Sequence, residues 1–224
     1  MEKKIILGHC NSVLVGLLDI IYKNKENEIN CEVDIISNLI DSNDENIPYL
    51  IDELKTKEYY HNEYPFTNNE NYILGVNSPN SKNQVYKFFN ENYNISVKNY
   101  CNLLAKNINL PHKFNIGNGC TINYGTTIAP YTNIGNFVTI NRNVSIGHHN
   151  TIEDFVTISP GVNIAGHCKI GKNTLIGIGA TIINNITIGE NSIVGAGSVV
   201  TKNIPNNVVY YGVPAKFIKE NIII

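Results

Sequence analysis

Residues 170–205 read IGKNTLIGIGATIINNITIGENSIVGAGSVVTKNIP, and every sixth position from Ile170 onward is isoleucine or valine. The same phase runs back without a break to Ile116, and Leu104 and Leu110 extend it. Neither a helix, with a period of about 3.6, nor a half-buried strand, with a period of about 2, produces this spacing by itself. A chain that turns a corner every six residues does, because each corner returns one side chain to a shared interior. Three such sides close a coil of 18 residues, so the spacing predicts a parallel β-helix in which residue i lies beneath residue i+18.

Two other positions of each repeat support this prediction. The residue after the aliphatic one is often glycine, which adopts corner backbone angles without steric cost. Four residues after the aliphatic one, most side chains are small or β-branched, as at Cys120, Thr132 and Cys168. These side chains suit a second, shallower inward row, from which Asn150 and Ile186 depart. The pattern does not fix the handedness of the coil, although the general rule for parallel crossovers would make it right-handed.

The composition limits the class of protein. The chain has 224 residues, of which 42% are hydrophobic and 16% charged, and its formal net charge is −2. These proportions are those of a globular protein, and the charge gives no electrostatic case for binding DNA or RNA. Five cysteines form no CxxC pair and are odd in number, which favours a reduced, cytoplasmic protein. The apolar N-terminus is interrupted by the polar GHCNS, so we expect neither a signal peptide nor a membrane-spanning segment.

The chain before about residue 100 lacks the six-residue repeat, and its pattern predicts a separate α/β domain. A strand, a helix and a second strand in succession form a βαβ unit, which favours a parallel sheet. Ser12 is the expected N-cap of the first helix. The predicted strands are Lys4–Leu7, Cys31–Ile36 and Tyr72–Val76, and the predicted helices are Val13–Tyr22, Ile47–Lys55 and Lys82–Tyr93. The predicted domains are a small Rossmann-like α/β domain (1–100), the β-helix (101–212) and a C-terminal tail (213–224).

The turn between the first predicted strand and helix is a candidate anion site. Backbone N–H groups at a helix N-terminus attract negatively charged ligands. The GxGxxG fingerprint of dinucleotide-binding proteins is absent, so a βαβ unit without a ligand is the alternative interpretation. The candidate residues of this turn are Gly8, His9, Cys10, Asn11 and Ser12.

The whole layout resembles the hexapeptide-repeat sugar acetyltransferases, which include sialic acid O-acetyltransferases and the UDP-4-amino-sugar N-acetyltransferases of bacillosamine synthesis. GHHNTIEDFVTISPGVNIAG (147–166), the stretch quoted above and YGVPAK (211–216) carry the resemblance. It implies a left-handed β-helix, an α/β domain that binds a nucleotide-linked sugar, acetyl-CoA as co-substrate, and a homotrimer with sites between neighbours. The turn GHCNSV departs from the family's GxxGH. Ser37 and Asn38, which we predict to bind the acceptor together with this turn, stand where the family often has adjacent acidic residues.

His148 is the candidate general base among six histidines. It lies two positions after Ile146, outside the inward phase, and it matches the catalytic histidine of the resembled family. An imidazole of ordinary pKa (~6.5) accepts a proton near neutral pH. His149 stands where the family has an acidic residue that orients the base, and Glu153 and Asp154 are the other candidates for that role.

A second set of residues is predicted to bind acetyl-CoA. Gly166 lies 18 residues after His148, so the repeat stacks it on the histidine, and the resemblance implies that its N–H binds the thioester carbonyl. The same spacing stacks small residues into one edge along which the pantetheine arm would run, with corner packing as the alternative interpretation. The tail from 213 to 224 would close over the coenzyme. The predicted coenzyme-binding residues are Thr157, Gly166, Ile178, Gly179, Ala196, Gly197, Val213, Pro214 and Lys216.

The resemblance and the residues that match it together imply an acetyl-CoA-dependent enzyme that acetylates the amino group of a nucleotide-linked amino sugar. Direct transfer is favoured because no cysteine near His148 is in phase to act as a nucleophile. One alternative is an O-acetyltransferase that acts on a sialic acid-like hydroxyl. A second is a zinc carbonic anhydrase of the same repeat fold, but we expect the adjacent His148 and His149 to point to different sides, and we predict no metal. A non-catalytic scaffold is the third.

Overall fold

The computed structural model describes residues 3–9, 11–24, 31–37, 54–67 and 71–222. The N-terminal elements are β1 (Lys3–His9), α1 (Asn11–Asn24), β2 (Cys31–Ser37), β3 (Leu54–Tyr60), β4 (Tyr72–Gly75) and α2 (Pro79–Tyr93). The four strands form one parallel sheet in the order β3-β2-β1-β4. The chain order reverses at β1, because β2 and β3 lie on one side of it and β4 on the other. The predicted parallel α/β layer is confirmed.

Two predictions for this part are wrong in detail. Helix α1 begins at Asn11, so Ser12 lies in its first turn instead of capping it. Leu54 and Lys55, predicted to end a helix, begin strand β3, and residues 47–53 of that predicted helix lie outside the described residues. Among the described strands, β3 is an edge strand paired with β2 only, and most of its side chains are not buried. It therefore lacks the apolar alternation that marks a strand in a sequence.

Helix α2 carries sequence signals at both of its ends. The Ser78 side chain caps it by accepting a hydrogen bond from the Ser81 N–H (3.1 Å), and Pro79 occupies the first turn. Asn94 ends it in the left-handed conformation, with φ of 55°. A 3₁₀ turn at Val97–Asn99 then leads into the first coil. Among the described residues, no helix has the length and apolar character needed to span a bilayer.

The rest of the chain folds as a left-handed parallel β-helix with three faces. Pairs along each face are 18 residues apart, as in Ile140, Ile158 and Ile176, so the predicted register is confirmed. Face 1 contains β5 (Leu103–Leu104), β7 (Thr121–Ile122), β10 (Thr139–Ile140), β13 (Thr157–Ile158), β16 (Leu175–Ile176) and β19 (Ile193–Val194). Face 2 contains β8 (Thr127–Ile128), β11 (Ser145–Ile146), β14 (Asn163–Ile164), β17 (Thr181–Ile182) and β20 (Val199–Val200). Face 3 contains β6 (Phe114–Ile116), β9 (Thr132–Ile134), β12 (Thr151–Ile152), β15 (Lys169–Ile170) and β18 (Thr187–Ile188).

Three edges join these faces. The glycine edge follows face 1 and consists of the corners 123–126, 141–144, 159–162, 177–180 and 195–198. The histidine edge follows face 2 and consists of the corners 129–131, 147–150, 165–168 and 183–186. The docking edge follows face 3 and consists of the corners 117–120, 135–138, 153–156, 171–174 and 189–192.

The interior of the prism is the predicted aliphatic column. Ile140, Ile158 and Ile176 are fully buried, and each such side chain contributes about 1.5–3 kcal/mol of burial energy. The shallower inward row is a hydrogen-bonding row. Thr126 Oγ1 donates to the carbonyl of residue 141 (2.9 Å) and Thr174 Oγ1 to that of residue 189 (2.8 Å), each 15 residues further along. Small hydroxyl residues therefore recur in this row because they satisfy corner carbonyls as well as fill space.

Helix α2 holds the N-terminal domain on the docking edge. Lys82 is fully buried, and its ammonium donates to the carbonyl oxygens of Phe137 (2.8 Å) and Val156 (3.0 Å) and to Thr139 Oγ1 (3.2 Å). The stacked rings of Phe137 and Phe155 are buried in the same contact. Hydrogen bonds and aromatic packing therefore join the two parts of the chain at this edge.

A C-terminal hairpin extends face 1. Strand β21 (Val208–Tyr211) pairs with β19, and β22 (Lys216–Glu220) pairs antiparallel with β21. The turn between them is bonded to the last coil, because the Gly212 N–H donates to Ser198 Oγ (3.1 Å) and the Ala215 N–H to the Val199 carbonyl (2.8 Å). The boundary predicted at residue 213 falls inside this turn.

Candidate active site

Three histidines converge at the histidine edge. Nδ1 of His148 lies 2.9 Å from Nδ1 of His149, and the ring centroids of His148 and His167 are 5.1 Å apart. One ring nitrogen from each of the three lies within 4.8 Å of the others, and all three side chains are exposed. The expectation that His148 and His149 point to different sides is therefore wrong. The corner brings the two neighbouring imidazoles together at right angles (89°).

A ring stack fixes His149 in this arrangement. Tyr131, His149 and His167 occupy the same corner position of successive coils, and each has a left-handed φ of 57–62°. Side chains at this position lie directly above one another. The His149 ring consequently stacks between Tyr131 (centroids 4.7 Å apart, 27° between planes) and His167 (4.9 Å, 13°). The stack limits rotation of His149 and keeps its Nδ1 directed at His148.

Gly166 lies against His148, as the 18-residue spacing predicts. A Cβ atom built on Gly166 would be 2.9 Å from Cε1 and 3.1 Å from Nε2 of His148, so any larger residue would displace the imidazole. Within the described part of the chain, the Gly166 N–H makes no hydrogen bond. An unpaired N–H beside an imidazole nitrogen is a suitable arrangement for stabilising an oxyanion while a proton moves.

Asn150 supports this corner from inside the coil. Its fully buried amide donates to the carbonyls of Gly147 (2.7 Å) and Ala165 (2.9 Å), and its oxygen accepts from the Cys168 N–H (2.7 Å). These bonds join the coil that carries His148 to the next one. The sequence signal was present, since Asn150 departs from the small-residue row at this coil, but its role was not predicted.

The two candidate carboxylates lie at a different edge. Asp154 accepts hydrogen bonds from the backbone N–H of Asn136 (2.6 Å) and from its side chain (3.3 Å). Glu153 pairs with Lys169 (2.8 Å), which lowers the pKa of Glu153, and it also accepts from the Lys172 N–H (3.0 Å). Both therefore stabilise corners of the docking edge. Among the described residues, the only side chain hydrogen-bonded to His148 is His149.

The residues predicted to line the pantetheine arm form an open strip along the glycine edge. The Gly197 N–H donates to the Ile178 carbonyl (2.8 Å), which stacks the pair 178–179 on the pair 196–197. Gly179 and Gly197 have φ near +65° and open space beside them. Ile178 and Val213 are 62% and 73% exposed, a high value for apolar side chains. Pro214 and Lys216 lie in the adjoining hairpin, so the strip continues to the predicted adenine end.

Thr157 does not lie at the histidine edge. It belongs to face 1, it is buried, and its hydroxyl donates to the Asn77 carbonyl (2.6 Å) of the N-terminal domain. The hydroxyl is therefore part of the contact between the two domains, and the role of Thr157 in binding the coenzyme stays a prediction.

The predicted acceptor-binding turn lies where the strand order of the sheet reverses. Ligands of open parallel sheets bind outside the carboxyl ends of the strands at such a point. Gly8 has a left-handed φ of 63°, and a Cβ on Gly75 of the neighbouring strand would collide with its carbonyl oxygen. Two of the predicted residues, Cys10 and Asn38, lie outside the described residues. The structure places the backbone of Gly8, His9, Asn11, Ser12 and Ser37 at the ends of β1 and β2 and the start of α1.

A cavity of about 160 Å³ lies between α1, the end of β4 and face 1. Its lining includes Gly16 and Leu17 of α1, Asn77 after β4, and Asn141 and Arg142 of the glycine edge. Arg142 is the only arginine in the chain, and a guanidinium binds phosphate groups with paired hydrogen bonds. A single arginine in the sequence is a signal that could have identified Arg142 as a candidate phosphate-binding residue.

The comparisons with known proteins agree with this architecture. Residues 167–202 match the family model of the bacterial transferase hexapeptide (six repeats). No curated protein matches the chain in sequence.

Several solved structures match over nearly the whole chain. A histidine-to-asparagine mutant of perosamine N-acetyltransferase from Caulobacter crescentus, in complex with CoA and GDP-perosamine, has a TM-score of 0.76 at 19% identity and 98% coverage of both chains. The acetyltransferase domain of PglB from Neisseria gonorrhoeae, in complex with acetyl coenzyme A, has a TM-score of 0.76 at 18% identity, with 97% of this chain and 98% of that one covered. WeeI from Acinetobacter baumannii has a TM-score of 0.75 at 20% identity, with coverage of 97% and 100%. The chain therefore contains a hexapeptide-repeat segment and has the two-part fold of these solved structures.

Proposed function

We propose that this chain transfers an acetyl group from acetyl-CoA directly to the amino group of a nucleotide-linked amino sugar. The observation that carries the proposal is the imidazole of His148 lying against Gly166, whose N–H is unpaired among the described residues. The proposal also draws on the likeness to structures that contain CoA, acetyl coenzyme A or GDP-perosamine.

The chemistry requires one proton acceptor and one oxyanion donor. The acceptor amine attacks the thioester carbon, a C–N bond forms, and Nε2 of His148 removes the proton from the nitrogen. The Gly166 N–H stabilises the negative oxygen of the tetrahedral intermediate. The C–S bond then breaks, and the imidazolium returns the proton to the coenzyme thiolate.

His149 takes the place of the usual orienting carboxylate. For Nε2 of His148 to be free, its proton must lie on Nδ1, and Nδ1 of His149 accepts that hydrogen bond at 2.9 Å. A neutral imidazole stabilises the resulting imidazolium less than a carboxylate does. The stack with Tyr131 and His167 compensates in part, because it fixes the acceptor nitrogen in place.

The complete site is proposed to form between copies of the chain in a homotrimer. His148 lies on the histidine edge, whereas the open strip of Gly179 and Gly197 lies on the glycine edge, across face 2. A neighbour that places its glycine edge beside this histidine edge would bring the thioester to His148.

The acceptor is proposed to bind beside the turn formed by Gly8–Ser12, with its diphosphate at Arg142. Val13, which follows this turn in the chain, lines the cavity beside α1, and Arg142 supplies the positive charge of that cavity. Arg142→Gln should raise the KM for the nucleotide sugar and leave the Kd for acetyl-CoA unchanged. A change in acetyl-CoA affinity instead would place Arg142 in the coenzyme site.

An activity screen tests the function itself. Purified protein with acetyl-CoA is assayed against UDP-, dTDP- and GDP-linked amino sugars and matched hydroxyl sugars, and the acetylated product is identified by mass spectrometry. We expect N-acetylation of at least one amino sugar. Acetylation of hydroxyl sugars alone would assign the O-acetyltransferase alternative.

Complementation tests the shared site. His148→Asn and Gly197→Trp each damage one half of the site, so each variant alone should be nearly inactive. Coexpression produces mixed trimers in which some interfaces combine two intact halves, and turnover should return in part. Absence of any recovery, with mixed trimers present, would show that one chain supplies both halves.

A further inference from the structure

The three histidines at the corner have a feature that acetyl transfer does not require. A general base needs one imidazole and one orienting partner, yet His167 adds a third ring nitrogen within 4.8 Å of the other two. All three side chains are exposed, and no carboxylate hydrogen-bonded to them appears among the described residues. Three converging imidazoles with an open approach are the donor set that zinc, nickel and copper ions favour.

We propose that His148, His149 and His167 together bind one divalent transition-metal ion such as Zn²⁺, and that this ion inhibits acetyl transfer. Binding of the ion depends only on the cluster. Inhibition rests on the proposed function, because it requires His148 to be the base.

The geometry requires only small movements. Zinc binds histidine nitrogens at ~2.0–2.1 Å, so two nitrogens on a tetrahedral ion lie about 3.3 Å apart. The Nδ1 atoms of His148 and His149 are already 2.9 Å apart, and an ion would replace the proton that they share. His167 must approach by rotation of an exposed side chain, and a water molecule would occupy the fourth position.

Inhibition follows whichever nitrogen of His148 binds. Coordination through Nε2 occupies the lone pair that accepts the proton. Coordination through Nδ1 leaves the proton of the neutral ring on Nε2, so that nitrogen again cannot accept one. An ion at this cluster therefore removes the base in both cases.

Cobalt titration of the tag-free, full-length protein tests binding without any assay of activity. After treatment with EDTA and desalting, Co²⁺ should produce visible absorption bands that saturate at one ion per chain, and Zn²⁺ should displace it. His167→Ala should weaken binding by at least the 10–100-fold that loss of even an outer-shell partner causes. His112→Ala, which removes an exposed histidine outside the cluster, should leave binding unchanged. Absence of saturable bands, or equal affinity in His167→Ala, would overturn the site.

Zinc inhibition tests the second half of the proposal. The ratio of turnover with Zn²⁺ to turnover with EDTA should be low in the wild type and should rise toward one in His167→Ala. Stoichiometric binding without inhibition would overturn the inhibitory role and also refute His148 as the base. If no sugar is acetylated under any condition, the proposed function fails while the cobalt titration still decides the metal site.

Discussion

Two edges of the same β-helix carry almost identical ring stacks and use them differently. At the docking edge, Phe137 and Phe155 stack with centroids 4.9 Å apart and 21° between planes. At the histidine edge, His149 and His167 stack at 4.9 Å and 13°. All four residues have left-handed φ at equivalent corner positions. The phenylalanines are buried beneath the N-terminal domain, and the histidines are exposed.

The polar groups of the two edges differ in the same way. At the docking edge, Asp154 caps the N–H of Asn136, and Lys82 occupies three oxygen acceptors. At the histidine edge, the N–H of Gly166 has no partner among the described residues, and the imidazoles face outward. The repeat supplies the same backbone to both corners. The chemistry proposed for the histidine edge uses groups that the fold leaves unpaired there.

The largest effect should follow replacement of the base. His148→Asn retains approximate shape and some hydrogen bonding but cannot accept the proton, so kcat should fall by about 10²–10⁴-fold. Isothermal titration calorimetry should find the Kd for acetyl-CoA nearly unchanged. If His148→Asn also lost acetyl-CoA binding, His148 would be a coenzyme-binding residue, and the corner 147–150 would be a binding surface only.

Gly166→Ala should have the next largest effect. Its methyl group would lie 2.9 Å from Cε1 of His148 and push the ring aside, and a displacement of about 1 Å can cost ~10²-fold in rate. Asn184 holds the equivalent position in the next corner of the histidine edge, so the backbone tolerates a side chain at this position. We therefore expect lower kcat with an unchanged melting temperature. A lower melting temperature would instead show that Gly166 is required for the stability of the β-helix.

Asn150 and Asn102 form a matched pair that separates stability from function. Asn102 donates to the Gly117 carbonyl (2.8 Å) and accepts from the Cys120 N–H (2.8 Å), the pattern that Asn150 makes at the histidine edge. Replacing either by alanine leaves buried polar groups unpaired, at a cost of about 1–3 kcal/mol each. Denaturant unfolding should show both losses, and kcat should fall only in Asn150→Ala. Equal kcat in the two variants would remove Asn150 from the positioning of His148.

The smallest effect concerns Lys82 of the docking edge, whose titration should make the folding stability depend on pH. Burial lowers the pKa of Lys82 to about 7. Between that pH and the ordinary lysine pKa near ~10.4, the unfolded chain binds a proton that the folded chain lacks. Folding stability should therefore rise with pH above 7, by at most about 1.4 kcal/mol per pH unit from this group.

Lys82→Met is the control for this pH dependence. Denaturant unfolding from pH 6 to 9 should show a shallower rise for Lys82→Met than for the wild type, because the methionine side chain does not titrate. Parallel curves would show that Lys82 stays charged on its three oxygen acceptors throughout this range.

Much of the β-helix could be predicted from the sequence because each coil repeats the same requirement. The same 18-residue register recurs at Ile140, Ile158 and Ile176. That register alone predicted that Gly166 lies beside His148. The inward hydrogen-bonding row was less visible, since threonine at a small-residue position gives no sign of the carbonyl that it binds.

Features that depend on docking or on corner angles could not be predicted in this way. The contact of Thr157 with Asn77 and the burial of Lys82 arise from how the N-terminal domain meets face 1 and the docking edge, for which the repeat contains no signal. The convergence of His148 and His149 depends on the left-handed φ of residue 149. Sequence spacing suggests that neighbouring side chains diverge, and this corner turns them together.

The central claim is that the open corner performs acetyl transfer with His148 as base and His149 as its orienting partner. The most direct test is kcat for His148→Asn and His149→Asn, measured side by side with the acetylated sugar as product and with acetyl-CoA affinity as control. We predict that both variants bind acetyl-CoA like the wild type and that His148→Asn loses far more turnover than His149→Asn. A greater loss in His149→Asn would contradict the account, because it would make His149 the base and remove Gly166 from the reacting atoms.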